Sequence, residues 1–163
     1  MITALFLLVA TPTAQAGPPA PQPAEWSFQT VEGQRTLRGA TAQDPGDRII
    51  FLCNNERRLV AMLFRLGEDP RAVAAGAVSG HWLIDGAAQP SVDPRPIIPM
   101  NRHTVSLSRV APELFRRLLS AEAAGFVWRS AEGIRLAGYQ LEIASGRDQL
   151  AEFGRACDAE AYP

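Results

Sequence analysis

The apolar run Ile49-Ile50-Phe51-Leu52-Cys53 sets the architecture of this chain. It carries apolar side chains at both odd and even positions, which is typical of a strand buried on both faces near the centre of a sheet. Asn54-Asn55 follows, and asparagine tolerates the positive φ of a tight turn. The next apolar segment, Leu59 to Leu66, is therefore predicted to return as the partner strand. Its composition also allows a helix, but the short connection to a clear strand favours the strand.

Cys53 ends this run, and we expect it to pair with Cys157, since these are the two cysteines of the chain. An exported chain meets an oxidising compartment, where such a pair normally becomes a disulfide. The bridge would close a loop of about 100 residues, for which the chain-entropy model gives roughly 4.7 kcal/mol of stabilisation. The sequence has no C-x-x-C motif, which argues against a redox role. Two free buried thiols are the alternative.

Alternating apolar and polar residues extend the strand pattern in both directions. Further strands are expected at Trp26 to Val31, Arg35 to Arg38, His81 to Ile84, His103 to Leu107, Phe126 to Trp128 and Ile134 to Leu141. The segment from Gln89 to Pro99 is rich in proline and is expected to be largely irregular, and Ala72 to Val78 is ambiguous.

Helical periodicity is confined to two segments, Pro112 to Ala123 and Ser145 to Cys157. Gly125 is expected to end the first helix, and Ser145, with Asp148 three residues later, resembles the capping box of the second. The fold class is therefore α+β, mainly antiparallel and sandwich-like, with two short helices in the C-terminal half.

The N-terminal segments indicate export. Residues 1–16 contain an apolar run far shorter than the roughly 20 residues that span a bilayer, and they end in the small-x-small sequence Ala14-Gln15-Ala16. We expect a cleavable signal peptide, cut between Ala16 and Gly17, with a buried N-terminal helix as the alternative. Residues 17–24 are proline-rich and are expected to form an extended linker. Residues 25–163 are expected to form one disulfide-closed domain.

The composition excludes several functional classes. The formal net charge of −1 gives no electrostatic footprint for nucleic acid or an anionic membrane. The chain contains no lysine, so a phosphate-binding loop of the G-x-x-x-x-G-K-[ST] type, a Schiff-base lysine and a Ser/Lys dyad are excluded. No cofactor is expected.

The order of these segments resembles a known group. The relevant features are the buried strand ending in Cys53, the Asn-Asn turn, a helix with Leu and Phe anchors (Leu114 to Leu119), Phe126-Val127-Trp128, Gly138-Tyr139-Gln140-Leu141 and a closing helix that ends in Cys157. Across residues 48–157 the chain resembles small exported proteobacterial modules of the invasion-associated locus B group and the related accessory proteins of type VI secretion. The first group usually has more cysteines. The resemblance implies a β-rich envelope or secreted domain without established catalysis, and it assigns no functional residues.

Candidate ligands and nucleophiles are few. His81 and His103 are the two histidines, and with Met100 they form a weak candidate copper site, since a thioether and imidazoles suit that metal. A Ser/His/Asp triad could use Ser79, His81 and Asp85, or Ser106 with His103, but no G-x-S-x-G elbow is present. Short triplets of common residues arise by chance. We therefore expect a half-buried structural imidazole at His81, a packing role for Met100, and no metal site.

Other residues suggest binding rather than catalysis. Trp26, Trp82 and Trp128 are expected either in the core or together on a surface patch. Arg57-Arg58 and Arg116-Arg117 are expected to be solvated, with an acidic-partner site as the alternative. Most carboxylates lie at turns, so a glycosidase pair is not favoured.

Taken together, these patterns favour an exported, periplasmic or secreted, non-catalytic module that binds a protein or a cell-envelope component. The alternative is a small periplasmic hydrolase that uses carboxylates or a histidine-containing site.

Overall fold

Two antiparallel sheets and three α-helices form the part of the chain that the computed structural model describes, which is residues 26–40, 47–53, 59–67 and 69–157. The expected signal peptide, its Ala16–Gly17 cleavage site, the proline-rich linker, the Asn54-Asn55 turn and the Arg57-Arg58 pair lie outside these residues. None of the helices in the described part is long and apolar enough to cross a membrane.

The larger sheet has six strands. In spatial order they are β1 (Trp26–Val31), β2 (Gln34–Ala40), β3 (Arg48–Cys53), β4 (Leu59–Leu66), β8 (His103–Arg109) and β7 (Ile97–Met100). The strand assignment for Leu59 to Leu66 is confirmed, because burial alternates from residue to residue along β4 with the period of a strand.

The smaller sheet has four strands, and the helices connect or follow the sheets. The strands in spatial order are β10 (Arg135–Glu142), β9 (Ala123–Arg129), β5 (Ser79–Ile84) and β6 (Ala87–Val92). The helices are α1 (Pro70–Gly76), α2 (Pro112–Ser120) and α3 (Arg147–Ala156), and a 3-10 turn (Ala144–Gly146) precedes α3. This arrangement confirms the α+β, mainly antiparallel, sandwich-like class.

The prediction of an irregular segment from Gln89 to Pro99 is wrong, because β6 and β7 occupy most of it. Both are edge strands, β6 in the smaller sheet and β7 in the larger one. An edge strand needs only one of its two sides for hydrogen bonding, so it tolerates residues without an N–H such as Pro90 and Pro99.

The helix ends also differ from expectation. The first predicted helix ends at Ser120, three residues early, and Gly125 lies inside β9 rather than behind a helix. Ser145 does not cap α3, since its hydroxyl donates to the carbonyl of Glu142, and Gly146 occupies the cap position. The segment from Ala72 to Val78, whose secondary structure the sequence left ambiguous, lies largely in α1. The first turn of α1 is capped by Asp69, whose Oδ1 accepts from the Arg71 amide at 3.0 Å.

An aromatic cluster fills the space between the sheets and the helices. The Phe51 ring lies 6.3 Å from both Trp82 and Phe115 and 6.2 Å from Phe153, centroid to centroid. Phe115 comes from α2 and Phe153 from α3, so both helices pack on the inner side of the sheets. Trp26, Trp82 and Trp128 are all buried, so the structure selects the core interpretation of the tryptophans over a surface patch.

The disulfide joins Cys53 at the end of β3 to Cys157 at the end of α3, with Cα atoms 6.0 Å apart. The predicted bridge is therefore confirmed, and it links the closing helix to a central strand. Close approach at the start of α3 requires glycine: a Cβ at Gly146 would lie 2.1 Å from the Trp26 indole. The Trp26 Nε1 in turn donates to the carbonyl of Glu142 at 3.2 Å.

Candidate binding surface

The outward side of the six-stranded sheet is apolar, although the core lies on its other side. Along β3 and β4, buried residues alternate with half-buried ones. Cross-strand register places a continuous set of apolar side chains on the outward side: Ile50, Leu52, Val60, Met62, Phe64, Leu66, Ile98, Met100 and Leu107, which surround the buried Val105. In the part of the chain that the structure describes, none of them belongs to the hydrophobic core cluster or packs against it. We call this set the outward apolar face.

The expectation that the Ile49 to Cys53 strand is buried on both faces is therefore corrected. Ile49, Phe51 and Cys53 point inward and are buried, whereas Ile50 and Leu52 point outward and are half-buried. At the edge of the sheet, Ile98 and Met100 are 45% and 52% exposed. Soluble proteins rarely leave a large contiguous apolar surface without a partner, so this face is the first candidate for a binding site.

Arginines surround the outward apolar face. Arg38, Arg48 and Arg109 are exposed and share its side of the sheet by register. The Arg48 guanidinium lies 4.9 Å from the centroid of the Phe64 ring, in a cation–π arrangement. The outward positions of the described strands of this sheet hold no carboxylate. The surface is therefore both apolar and positively charged.

The structure places two of the three candidate metal ligands side by side and the third on the other sheet. Met100 and His103 are cross-strand partners in the β7–β8 pair of the larger sheet. His81 lies in β5 of the smaller sheet, where its Nδ1 is 3.1 Å from the Gln89 carbonyl oxygen. Among the described residues, no group of three or more His, Cys, Asp or Glu side chains is placed to hold a metal ion.

The proposed triads do not assemble. The Asp85 carboxylate accepts from the amides of Glu122 and Ala123, both at 2.9 Å, so it organises the start of β9. Ser106 points into the interior, whereas His103 lies on the opposite side of the same strand. A strand places residues three apart on opposite faces, so this serine and histidine cannot act as a pair.

Acidic residues gather in one open cleft of about 670 Å³, beside the 3-10 turn. It is lined by Glu122, Glu142 and Asp148 together with Arg147. The Arg147 guanidinium donates to the carbonyl of Ala121 at 2.8 Å, which anchors the start of α3. These residues were not singled out from the sequence, because nothing in their spacing indicates that β9, β10 and α3 meet.

Two buried polar residues, Asp47 and Tyr139, lie close enough in the interior to interact electrostatically. The Asp47 carboxylate, before β3, accepts from Arg65 Nη1 at 2.6 Å and from the Leu66 amide at 2.8 Å. Tyr139, on the inner side of β10, is buried, and its hydroxyl has no hydrogen-bond partner among the described residues. Burial, and secondarily the negative charge of Asp47, raise the pKa of Tyr139 well above its usual value.

A second apolar feature is a cleft of about 270 Å³ between β6 and the start of α2. Its apolar lining includes Trp82, Val92 and Leu114, and two arginines, Arg109 and Arg117, stand at its rim. Arg116, the other member of the predicted arginine pair, instead forms an exposed ion pair with Glu113 at 3.2 Å.

No protein-family model, no curated protein and no solved structure matches this chain. The resemblance to the invasion-associated locus B group therefore rests on the sequence pattern alone, and the assignment of function rests on the surfaces described above.

Proposed function

We propose that this chain is an exported, non-catalytic binding module whose outward apolar face binds an acidic region of a protein in the cell envelope. The observation that carries the proposal is the continuous apolar surface on the six-stranded sheet, edged by arginines. The expected signal peptide and the disulfide support export, because a disulfide persists best in an oxidising compartment.

The residue types on the outward apolar face favour a protein as the partner. The cores of protein–protein interfaces are enriched in aromatic residues, methionine and arginine and depleted in lysine and carboxylates. Phe64, Met62 and Met100 with the surrounding arginines match that composition. A carboxylate of the partner would pair with these guanidinium groups, and such complementarity also selects the partner.

A second copy of this chain is a poorer occupant. A symmetric dimer would place the same surface on both subunits, so two positively charged surfaces would face each other. The described outward positions of the sheet supply no carboxylate to compensate for that repulsion. An acidic partner avoids this cost.

Site-specific photo-crosslinking in the producing cells tests the proposal. We would place p-benzoylphenylalanine at Met62 or at Leu107 on the outward apolar face, and at Gln140, an exposed residue of β10 in the other sheet, as the control. The expected result is one and the same protein linked to the first two positions and not to Gln140. Adducts with a second copy, adducts with lipid, equal adducts from all three positions or no adduct at all would each overturn the proposal.

The linked protein would then be purified and its affinity for the module measured. Arg38→Glu combined with Arg48→Glu should weaken binding about tenfold or more, because like charges would meet an acidic partner. Arg135→Glu, at an exposed arginine of β10, is the matched control and should leave the affinity unchanged. An unchanged affinity in the Arg38/Arg48 variant would contradict the charge argument.

A further inference from the structure

The cleft between β6 and α2 is a small, partly open pocket. Its volume of about 270 Å³ is close to the lower end of the range for ligand pockets, so it suits a group of about the size of one ring. Val92 and Leu114 line its wall, and both pack against the hydrophobic core. The wall is therefore continuous with the rigid interior.

Trp82 contributes to the floor and is held in one orientation. Its Nε1 donates to the Ser108 hydroxyl at 3.1 Å, across the interior between the two sheets. Its ring is stacked on Phe51 and meets the edge of Phe126 at a centroid distance of 5.5 Å. A floor that is fixed before binding loses little conformational entropy when a ligand arrives.

The rim carries positive charge that no described carboxylate neutralises. Arg109 is exposed, and its guanidinium forms no hydrogen bond or ion pair with any residue that the structure describes. The Arg117 guanidinium donates to the neutral amide oxygen of Gln89. The Glu113 carboxylate also lines the cleft, but it is engaged by Arg116. An apolar pocket with cationic groups at its mouth is complementary to an apolar group that bears an anion.

We propose that this cleft binds a small carboxylate with an apolar, ring-sized substituent. The substituent packs between Leu114 and Trp82, and the carboxylate pairs with Arg109 and Arg117, since guanidinium groups bind carboxylates in two-pronged geometry. Either a free aromatic acid or the C-terminal residue of a peptide offers this chemistry. The cleft shares Arg109 with the border of the outward apolar face, but neither Met62 nor Leu107 lines it.

Calorimetric titration of the oxidised protein tests this assignment. The probes are 3-phenylpropanoate, the neutral 3-phenylpropanamide and the tripeptide N-acetyl-Ala-Ala-Phe with a free C-terminus. The expected result is saturable binding of 3-phenylpropanoate and about tenfold weaker binding of the amide, because a charge-assisted hydrogen bond is lost. Tighter binding of the tripeptide than of 3-phenylpropanoate would identify a peptide terminus as the source, and the reverse order a free acid.

Two variants locate the binding. Arg109→Gln with Arg117→Gln should weaken binding of 3-phenylpropanoate about tenfold, by the same loss of charge. Arg135→Gln removes an exposed arginine of β10 that neither lines the cleft nor pairs with a residue lining it, so the affinity should not change. Equal binding of acid and amide, an equal effect of both variants, or no saturation with any probe would overturn the proposal. None of these results bears on the crosslinking at Met62 and Leu107, so the two proposals fail separately.

Discussion

The two sheets share one core, yet their outward sides carry different residues. On the six-stranded sheet most outward positions of β3, β4 and β8 hold large apolar side chains, and the others hold Arg48, His103 and Arg109. On the four-stranded sheet the corresponding positions of β5, β9 and β10 are mostly small or polar, namely Ser79, His81, Ala123, Gly125, Arg129, Gly138, Gln140 and Glu142, with Leu83 and Val127 as the larger apolar residues.

This difference shows that apolar residues on both sides of a strand have two structural explanations. The strand can be covered on both faces within its own domain, or one face can be reserved for a partner. The helices of the described chain pack on the inner side, where Phe115 and Phe153 reach the core. The second explanation is the one that we propose above for β3 and β4, and the following experiments test the contrast between the sheets.

Removing the disulfide is expected to have one of the two largest effects. The bridge closes a sequence separation of 104 residues, and replacing Cys53 and Cys157 by alanine should lower the free energy of unfolding by about 2–5 kcal/mol. Urea unfolding measures that loss. Because the bridge holds α3 against the larger sheet, amide hydrogen exchange should accelerate more in β3 and α3 than in β5 and β9. Equal acceleration in both sheets would contradict this interpretation.

A neighbouring pair in β3 compares the inner and outer sides of the larger sheet. Phe51→Ala removes a fully buried ring and should cost about 3–5 kcal/mol. Leu52→Ala, one residue later and outward, should cost about 1 kcal/mol or less, because removing a half-buried side chain creates no cavity in the core. Chemical denaturation measures both values. If Phe51→Ala does not fold, Phe51→Leu takes its place in the comparison. Equal losses of unfolding free energy at positions 51 and 52 would indicate that the outward side is covered as well.

Dye binding should distinguish the two outward sides. Anilinonaphthalene sulfonate is apolar and anionic, so it should bind the folded protein at the outward apolar face. Met62→Thr combined with Leu107→Thr should reduce its fluorescence about twofold or more, with little change in stability. Leu83→Thr, on the outward side of the smaller sheet, is the matched control and should have little effect. A larger loss of fluorescence with Leu83→Thr than with the Met62/Leu107 variant would contradict the expected difference between the two sheets.

The smallest effect at neutral pH is expected for Tyr139→Phe, which tests the contact between the sheets. The free phenol ionises near pH 10, and the folded-state pKa of Tyr139 is higher, so the contribution of Tyr139 to stability should be constant below about pH 10 and should decrease as the pH rises further. Tyr139→Phe should remove most of that decrease. At neutral pH it should change stability by less than about 1 kcal/mol, because the hydroxyl has no partner among the described residues.

Urea unfolding between neutral and alkaline pH measures this effect. Tyr162→Phe, at the other tyrosine of the chain, is the control and should retain the alkaline decrease. A Tyr139→Phe variant that loses stability at the same alkaline pH as the unsubstituted protein would show that another group is responsible.

Local patterns were sufficient for most strands. Period-two alternation and turn residues identified β1, β4, β5 and the β9–β10 hairpin, because these signals act within a few residues. They failed at Pro90 and Pro99, where the edge position of a strand, a property of the whole sheet, decides whether proline is tolerated. They also failed at Ser145, whose hydroxyl bonds backward to Glu142 instead of capping α3.

The candidate sites were less accessible to sequence analysis. The cleft lies between β6 and α2, and its two arginines come from different elements. No spacing of residues along the sequence therefore predicts it. The sequence showed that β3 is an apolar strand, but it did not show which of its side chains point away from the core. Which side faces the core depends on the position of α2, α3 and the second sheet.

By itself, the sequence determined the strand-rich class, the Cys53–Cys157 pairing and the exclusion of lysine-dependent chemistry, because composition and short-range periodicity carry this information. Only the tertiary structure decided that the tryptophans are internal, that His81 lies on a different sheet from His103, and that Ile50 and Leu52 in β3 point away from the core. The physical reason is that strand alternation defines two faces, and only long-range packing chooses which of them is buried.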